Sequence, residues 1–205
     1  MVIRVFSRRV YMIVFENGQL SQSLKEMMLD EDSLVITPAR DQAIYLFVRN
    51  YAPDFSEQKI IVNFLSPGAS VNIFGLYQLD QQQKLNIQTT MNHIAPHCKS
   101  EQTWRGVLSD HAKIDFEGLI DVKAGAEKAV AHLSNKNLLL SSRAEVNTKP
   151  FLIINAEDVQ CTHGATVGFL DKDALFYLRS RGVAEEAARA MLIDAFTRCP
   201  WEEVV

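Results

Sequence analysis

Cys161 and His163 are the two side chains of this chain whose types and spacing are best suited to joint chemistry. In an extended segment, residues i and i+2 point to the same side, so a sulfur and a nitrogen donor would converge. A thiol with an imidazole is a soft-to-borderline pair that suits iron, zinc or an iron–sulfur cluster. Two donors do not complete a site, so a partner chain or other residues must supply the rest. The plainer alternative for Cys161 is a small buried hydrophobe, since free cysteine packs well in cores. Gly164 beside His163 would let a ligand or another backbone approach closely.

A second group lies in NHIAPHCKSEQTWRG at 92–106, which holds His93, His97 and Cys98. On a helix His93 and His97 would share a face, but Pro96 opposes a helix. On a strand they again share a side, and Cys98 faces the other. No four-ligand zinc spacing is present. Packing with one solvent-facing imidazole is the simpler reading, and a metal site is the alternative. Cys199, next to Pro200 and Trp201, reads as a buried residue near the terminus. The phosphate-binding patterns GxxxxGK[ST] and GxGxxG are absent, as are G-x-S-x-G and H-E-x-x-H. Asp110, Asp115, Glu117, Asp121, Glu157 and Asp158 could form carboxylate pairs, but alternating acids on strands are usually solvated edges. Neither a nucleotide-driven nor a hydrolytic site is identified.

These side chains sit in a 205-residue chain with 21 basic and 25 acidic residues, a formal net charge of −4. It is 47% hydrophobic and 22% charged, as soluble globular proteins are. One domain with a small appendage is expected, able to fold without metal or disulfide. Lacking a basic excess, it is not expected to bind nucleic acid non-specifically. Three scattered cysteines without a CxxC pair fit a reducing cytosol. No signal-peptide core is visible, and the apolar run Tyr11–Phe15 falls far short of the ~20 residues that span a bilayer. A soluble, cytoplasmic protein with no membrane partner is expected.

The first ninety residues read as short β segments, with Asn17-Gly18 marking a hairpin turn and the polar stretch 78–84 a loop. LSPGASVN (65–72), LSDHAKID (108–115) and LSSRAEVN (140–147) fit one template, offset by 43 and 32 residues. CTHGATVG (161–168) reads as a degenerate fourth copy, with Cys161 in the leading Leu slot and His163 in a solvent-facing turn slot. Within the first three copies, Ala69/Val71/Ile73, Ala112/Ile114/Phe116 and Ala144/Val146/Thr148 alternate with polar residues, the period of a strand with one buried face. Recurring strand-and-turn units of this kind predict a solenoid. The unequal offsets predict coils interrupted by loops. The expected fold is mainly β, a right-handed parallel β-helix with a small C-terminal α-helical unit. Its divisions are N-terminal β segments and connector at 1–33, β-helix core at 34–168 and helical unit at 169–205. In that unit Asp171 caps a helix to about Ser180, and Gly182 ends it. A second helix follows with Ala188, Met191, Leu192, Ala195 and Phe196 on one face. Glu185 and Glu186 suit its first turn and Arg198 its last, and Pro200 stops it.

From Asn92 onward the chain resembles the SufB/SufD family of iron–sulfur cluster assembly proteins, on its SufD side. The resemblance runs through HIAPHCKSEQTWRGVLSDHAKIDFEGLIDV, SNKNLLLSSRAEVNTKPFLII, EDVQCTHGATVGFLDKDALFYLRSRGV and EEAARAMLIDAF. It implies a right-handed parallel β-helix that pairs with SufB, and C-terminal helices that dock the ATPase SufC. The complex assembles a nascent iron–sulfur cluster, held transiently and shared with SufB. The family's C-[ST]-H-G-A-T block places the assembly histidine on His163, with Cys161 beside it. The docking role falls on Leu175, Phe176, Leu178 and Arg179 and, in the next helix, on Met191 and Leu192. The family's N-terminal helical region and some coils are reduced here, and its AQKTDA-like stretch reads AEKAVA at 126–131. The resemblance thus implies a non-catalytic scaffold subunit that binds no cluster alone. The alternatives are a structural homodimeric β-helix without iron, and a β-helix enzyme acting on carbohydrate.

Overall fold

The computed structural model describes residues 33–50 and 57–199, together with the strands Val5–Ser7 (β1), Val10–Glu16 (β2), Gln19–Leu20 (β3) and Met27–Asp30 (β4). The remaining strands are β5 (Ser33–Ile36), β6 (Ala43–Asn50), β7 (Glu57–Phe64), β8 (Ser70–Leu79), β9 (Lys84–His93), β10 (Lys99–Leu108), β11 (Lys113–Val122), β12 (Val130–Leu139), β13 (Glu145–Ile154) and β14 (Gln160–Phe169). Two helices end the chain, α1 (Lys172–Ser180) and α2 (Glu185–Thr197).

From β5 on, successive strands alternate between two sheets. One sheet runs β1-β2-β6-β8-β10-β12-β14, with β3 beside β2; the other runs β13-β11-β9-β7-β5-β4. Pairing from β5 and β6 onward is parallel and unbroken in register, which makes a β-solenoid of about four turns. The expected parallel β-helix with two C-terminal helices is therefore the fold. β2 and β3 pair antiparallel through Phe15↔Leu20 and Glu16↔Gln19, while the Asn17-Gly18 turn itself lies outside the described residues. The polar stretch 78–84 is mostly a corner, since β8 reaches Leu79 and β9 begins at Lys84.

Alternation fills the interior. Val71, Ile73, Leu85, Ile87, Ile114 and Phe116 are all buried, and the template alanines Ala69, Ala112 and Ala144 sit at corners just ahead of a strand. Large and small residues interlock between coils. The Trp104 indole lies over Gly75, and the Tyr77 ring over Gly106, each filling the space a Cβ would need. Trp104 also meets Phe116 edge-on at 5.4 Å. Tyr77 Oη donates to Asn137 Oδ1 at 2.5 Å, and Asn137 Nδ2 donates to Asn135 Oδ1, so the buried polar groups hold one another.

The unequal offsets have a different cause from interrupting loops. LSPGASVN turns from β7 into β8, whereas LSDHAKID and LSSRAEVN turn from β10 into β11 and from β12 into β13. The copies belong to opposite corners of a regular stack, one and a half coils apart and then one coil apart. At the first corner Asp41, Gly68, His97 and Lys128 stack, all with φ between 55° and 77°. Each donates its backbone N–H to the next coil: Asp41 to Pro67 O, Gly68 to Pro96 O, His97 to Glu127 O and Lys128 to Asp158 O. His97 thus fills a left-handed corner that histidine tolerates better than most residues.

CTHGATVG is not a fourth copy of the corner. All eight residues lie inside β14, where Cys161 pairs with Ala131 and His163 with Leu133. Ala165 and Val167 resemble the template because strands and corners draw on the same small and β-branched residues.

α1 begins as expected: Asp171 Oδ1 accepts from Asp173 N at 2.8 Å and Ala174 N at 3.2 Å, and Gly182 closes it at φ 89°. In α2 the packed face is Ala188, Leu192, Ile193 and Phe196, whereas Met191 and Ala195 are exposed. Arg198 is the C-cap, one residue past the last turn, and Pro200 lies outside the described residues. The Arg105 guanidinium stacks on the Phe196 ring at 5.7 Å, and Cys199 is buried with Phe47, Phe74 and Leu76 on the outer face of the larger sheet. These contacts tie the helical unit back to the solenoid.

Candidate functional site

Among the described residues β14 is the last strand of its sheet and pairs with β12 alone. Two inward-facing columns run through the stack, Val71–Ser100–Ala131–Cys161 and Ile73–Gln102–Leu133–His163. In the inner coils these positions are closed over by the next coil. Among the described residues no further coil follows β14, and from Thr162 to Phe169 every residue is exposed. His163 is reachable by solvent because the stack ends there, and not because it stands in a turn.

Cys161 and His163 are on the same side of β14, as an extended segment requires. Cys161 is half-buried against the rim of the core, and this burial pushes its thiol pKa up, against a smaller opposing pull from the Ala131 backbone. The free side chain is therefore a thiol at neutral pH, and a metal would have to displace its proton to bind sulfur. A Cβ added at Gly164, on the other face of β14, would meet no atom within 4 Å. On that same other face, Thr162 Oγ1 and His132 Nδ1 hydrogen-bond at 2.7 Å.

His93, His97 and Cys98 are not gathered into a site. His93 is fully buried, stacked on Phe64 at 4.4 Å with Nε2 2.8 Å from Ser100 Oγ. Burial lowers its pKa to about 4, so it is a neutral core imidazole. Cys98 occupies the corner slot of Ala69 and Ala129, and its Sγ donates to Ser66 O at 3.3 Å. His97 is exposed at the corner. Among the described residues no three His, Cys, Asp or Glu side chains group to hold a metal ion.

The acids are distributed along the coils. Asp115 accepts from Asn147 Nδ2 at 3.0 Å, Asp110 Oδ2 accepts from Gln81 N at 3.1 Å, Lys123 pairs with Asp121 at 2.6 Å, and Lys128 pairs with Asp158. Solvated edges are the sequence expectation for these acids; Asp121 instead is buried.

No residue of α1 is buried, and only Ala188 of α2. Phe176 is 73% exposed and Met191 52%; Leu175, Leu178 and Leu192 are half-buried; Arg179 reaches Glu185 at 3.3 Å. A groove of about 360 Å³ runs between Leu139, Leu140 and Phe169 on the solenoid and Leu175 and Arg189 on the helices. Among the described residues no helix is long and apolar enough to cross a membrane.

Residues 24–196 match the family model for the SUF system FeS cluster assembly, SufBD core domain. The iron–sulfur cluster assembly protein SufD of Escherichia coli is 45% identical over 109 residues, covering 53% of this chain and 26% of that protein. An iron–sulfur cluster assembly SufBD family protein of Synechocystis is 44% identical over 106 residues, 52% of this chain and 23% of that one. SufD of Bacillus subtilis is 34% identical over 115 residues, 56% and 26%. This chain thus spans about a quarter of the length of these relatives. The length of the family match, which takes in both the solenoid and the helices, shows that this chain belongs to the SufBD family of the SUF iron–sulfur cluster assembly system.

Proposed function

We propose that this chain is a non-catalytic, cytoplasmic scaffold subunit of a SUF-type assembly complex. Its open terminal coil pairs with a SufB-like partner, and its helix pair docks a SufC-like ATPase. The cargo is a nascent iron–sulfur cluster, held transiently where the two solenoids meet. His163 offers an imidazole nitrogen to it, Cys161 is an auxiliary sulfur donor, and the partner completes the ligand set. One observation carries this reading: an imidazole on the inward column of a coil that nothing covers, beside a half-buried thiol.

The terminal coil also has the chemistry of an interface. Phe151, Ile153, Ile154, Val167 and Phe169 are exposed on β13 and β14, which each end a sheet at the C-terminal side of the stack. Unpaired strand edges with apolar side chains are surfaces that another chain can extend. The helix pair carries the docking proposal through Phe176 and Met191, with Leu175, Leu178, Arg179 and Leu192 as its support.

Co-expression with SufB-like and SufC-like proteins, followed by light scattering on the purified material, tests the assembly. A stable three-component complex is expected. A chain that elutes alone, as monomer or homodimer, would sink the proposal and favour a structural paralogue. Within the complex, His163→Ala should reduce the iron and sulfide recovered after anaerobic reconstitution, and unchanged recovery would remove His163 from the role.

A further inference from the structure

Cys161 and His163 share a geometry only while β14 keeps its register on β12, and β14 lies at the end of its sheet. It is an edge strand with backbone bonds to one neighbour. Across the outer face of that ladder the side-chain rows are Val130/Gln160, His132/Thr162, Ser134/Gly164, Lys136/Thr166 and Leu138/Gly168. Two of the five β14 positions are glycine, and a Cβ at either would touch nothing within 4 Å. Among the described residues, one side-chain hydrogen bond joins the two strands, His132 Nδ1 to Thr162 Oγ1 at 2.7 Å. It falls at the residue between Cys161 and His163. Residues directly opposite on neighbouring strands are the unit by which side chains stabilise a sheet.

We propose that His132 is a positioning residue that pins β14 through Thr162, so that Cys161 and His163 hold a common orientation on the opposite face. The inference rests on the assembly role given to His163, but its mechanics do not involve iron. Without the pin, the start of β14 opens locally while the inner coils stay closed, because edge segments open with lower free energy than core strands. The hydroxyl can donate to an unprotonated Nδ1 or accept from a protonated one, so either tautomer of His132 serves.

The test uses the full chain in the absence of iron. Backbone amide exchange is followed at Thr162 and Gly164, which alternate in step with Gln160 and so turn their N–H groups towards β12, and alkylation is followed at the three free cysteines, of which Cys98 and Cys199 are buried. His132→Ala and Thr162→Val should each speed exchange at these amides, and alkylation of Cys161, by roughly three- to tenfold. Cys98 and Cys199 should stay slow, the double variant should match either single one, and His132→Asn should restore the slow rates by placing a polar atom near Nδ1. Unchanged exchange at Thr162 and Gly164 with unchanged alkylation at Cys161 in both variants, or fully additive gains, would overturn the pin. If His132→Ala also exposes Cys98 and Cys199, the whole fold has loosened, and the near-isosteric Thr162→Val decides alone. Failure of His163→Ala to affect reconstitution would sink the assembly role and leave the pin standing; unchanged alkylation would do the reverse.

Discussion

The inner coil strand β10 and the terminal strand β14 have the same length and belong to the same unbroken ladder, yet their environments are opposite. In β10 the inward side chains Ser100, Gln102, Trp104 and Leu108 are buried, whereas in β14 even the inward His163, Val167 and Phe169 are exposed. Position in the stack makes the difference. A solenoid coil closes its interior only when another coil lies on each side. The residues follow suit: β10 interlocks Trp104 with Gly75, while a Cβ at Gly164 or Gly168 of β14 would meet nothing within 4 Å. One region invests in stability, and the other keeps a chemically capable surface free for a partner.

The sharpest break of that contrast is truncation. Trp104→Ala should cost about 3–5 kcal/mol, because it empties the volume over Gly75 and removes the edge contact with Phe116. Phe169→Ala, on the exposed strand, should change the stability of the isolated chain by about 0.5 kcal/mol or less. Denaturant midpoints of the two variants check this. Comparable losses would mean that the terminal coil is packed as tightly as the inner ones.

Acidification tests the same contrast through His93. Its folded-state pKa of about 4 lies below the ordinary histidine value, so between these limits the unfolded chain binds the extra proton. The stability from keeping it neutral is complete above about pH 6.5 and is lost as pH falls towards 4, by up to ~3 kcal/mol. His93→Gln should flatten that dependence in the denaturant midpoint between pH 4 and 7. An unchanged slope would show that other groups carry the acid sensitivity.

Much of this architecture was legible beforehand, and the reasons are local. Period-two runs such as Ala69/Val71/Ile73 need a buried face, and three copies of one corner template require stacked coils. Asp171 and Gly182 bounded α1 by capping chemistry alone. The role of CTHGATVG was harder, because small and β-branched residues serve a corner and a strand equally. Only the Ala131↔Cys161 register shows which of the two it is. The His132–Thr162 bond lies thirty residues apart in sequence, and pairing register, which spacing does not carry, brings it together. His93 and Cys98 drew attention by type, but burial among Phe64, Ser100 and Ser66 decides what they do.

The smallest effect separates the two regions most cleanly, because the substitution is the same in both. A Cβ at Gly106 would overlap the Tyr77 ring and Asn137 Oδ1, inside a buried network whose atoms have no room to move. Gly106→Ala should therefore lose about 1–3 kcal/mol through overpacking. At Gly164 the added methyl meets nothing and the backbone is extended, so the main change is a less flexible unfolded chain. Gly164→Ala should be neutral or stabilising by up to ~0.5 kcal/mol, since strand propensity and chain entropy both favour alanine slightly. Thermal midpoints of the isolated chain distinguish the two. Because Gly164 lies on the face of β14 opposite His163, Gly164→Ala should also leave the proposed partner's approach to the His163 row undisturbed, and partner binding equal to wild type is the expected outcome. Weaker partner binding by Gly164→Ala would mean that the partner sits on the outer face of β14 and not over the His163 row.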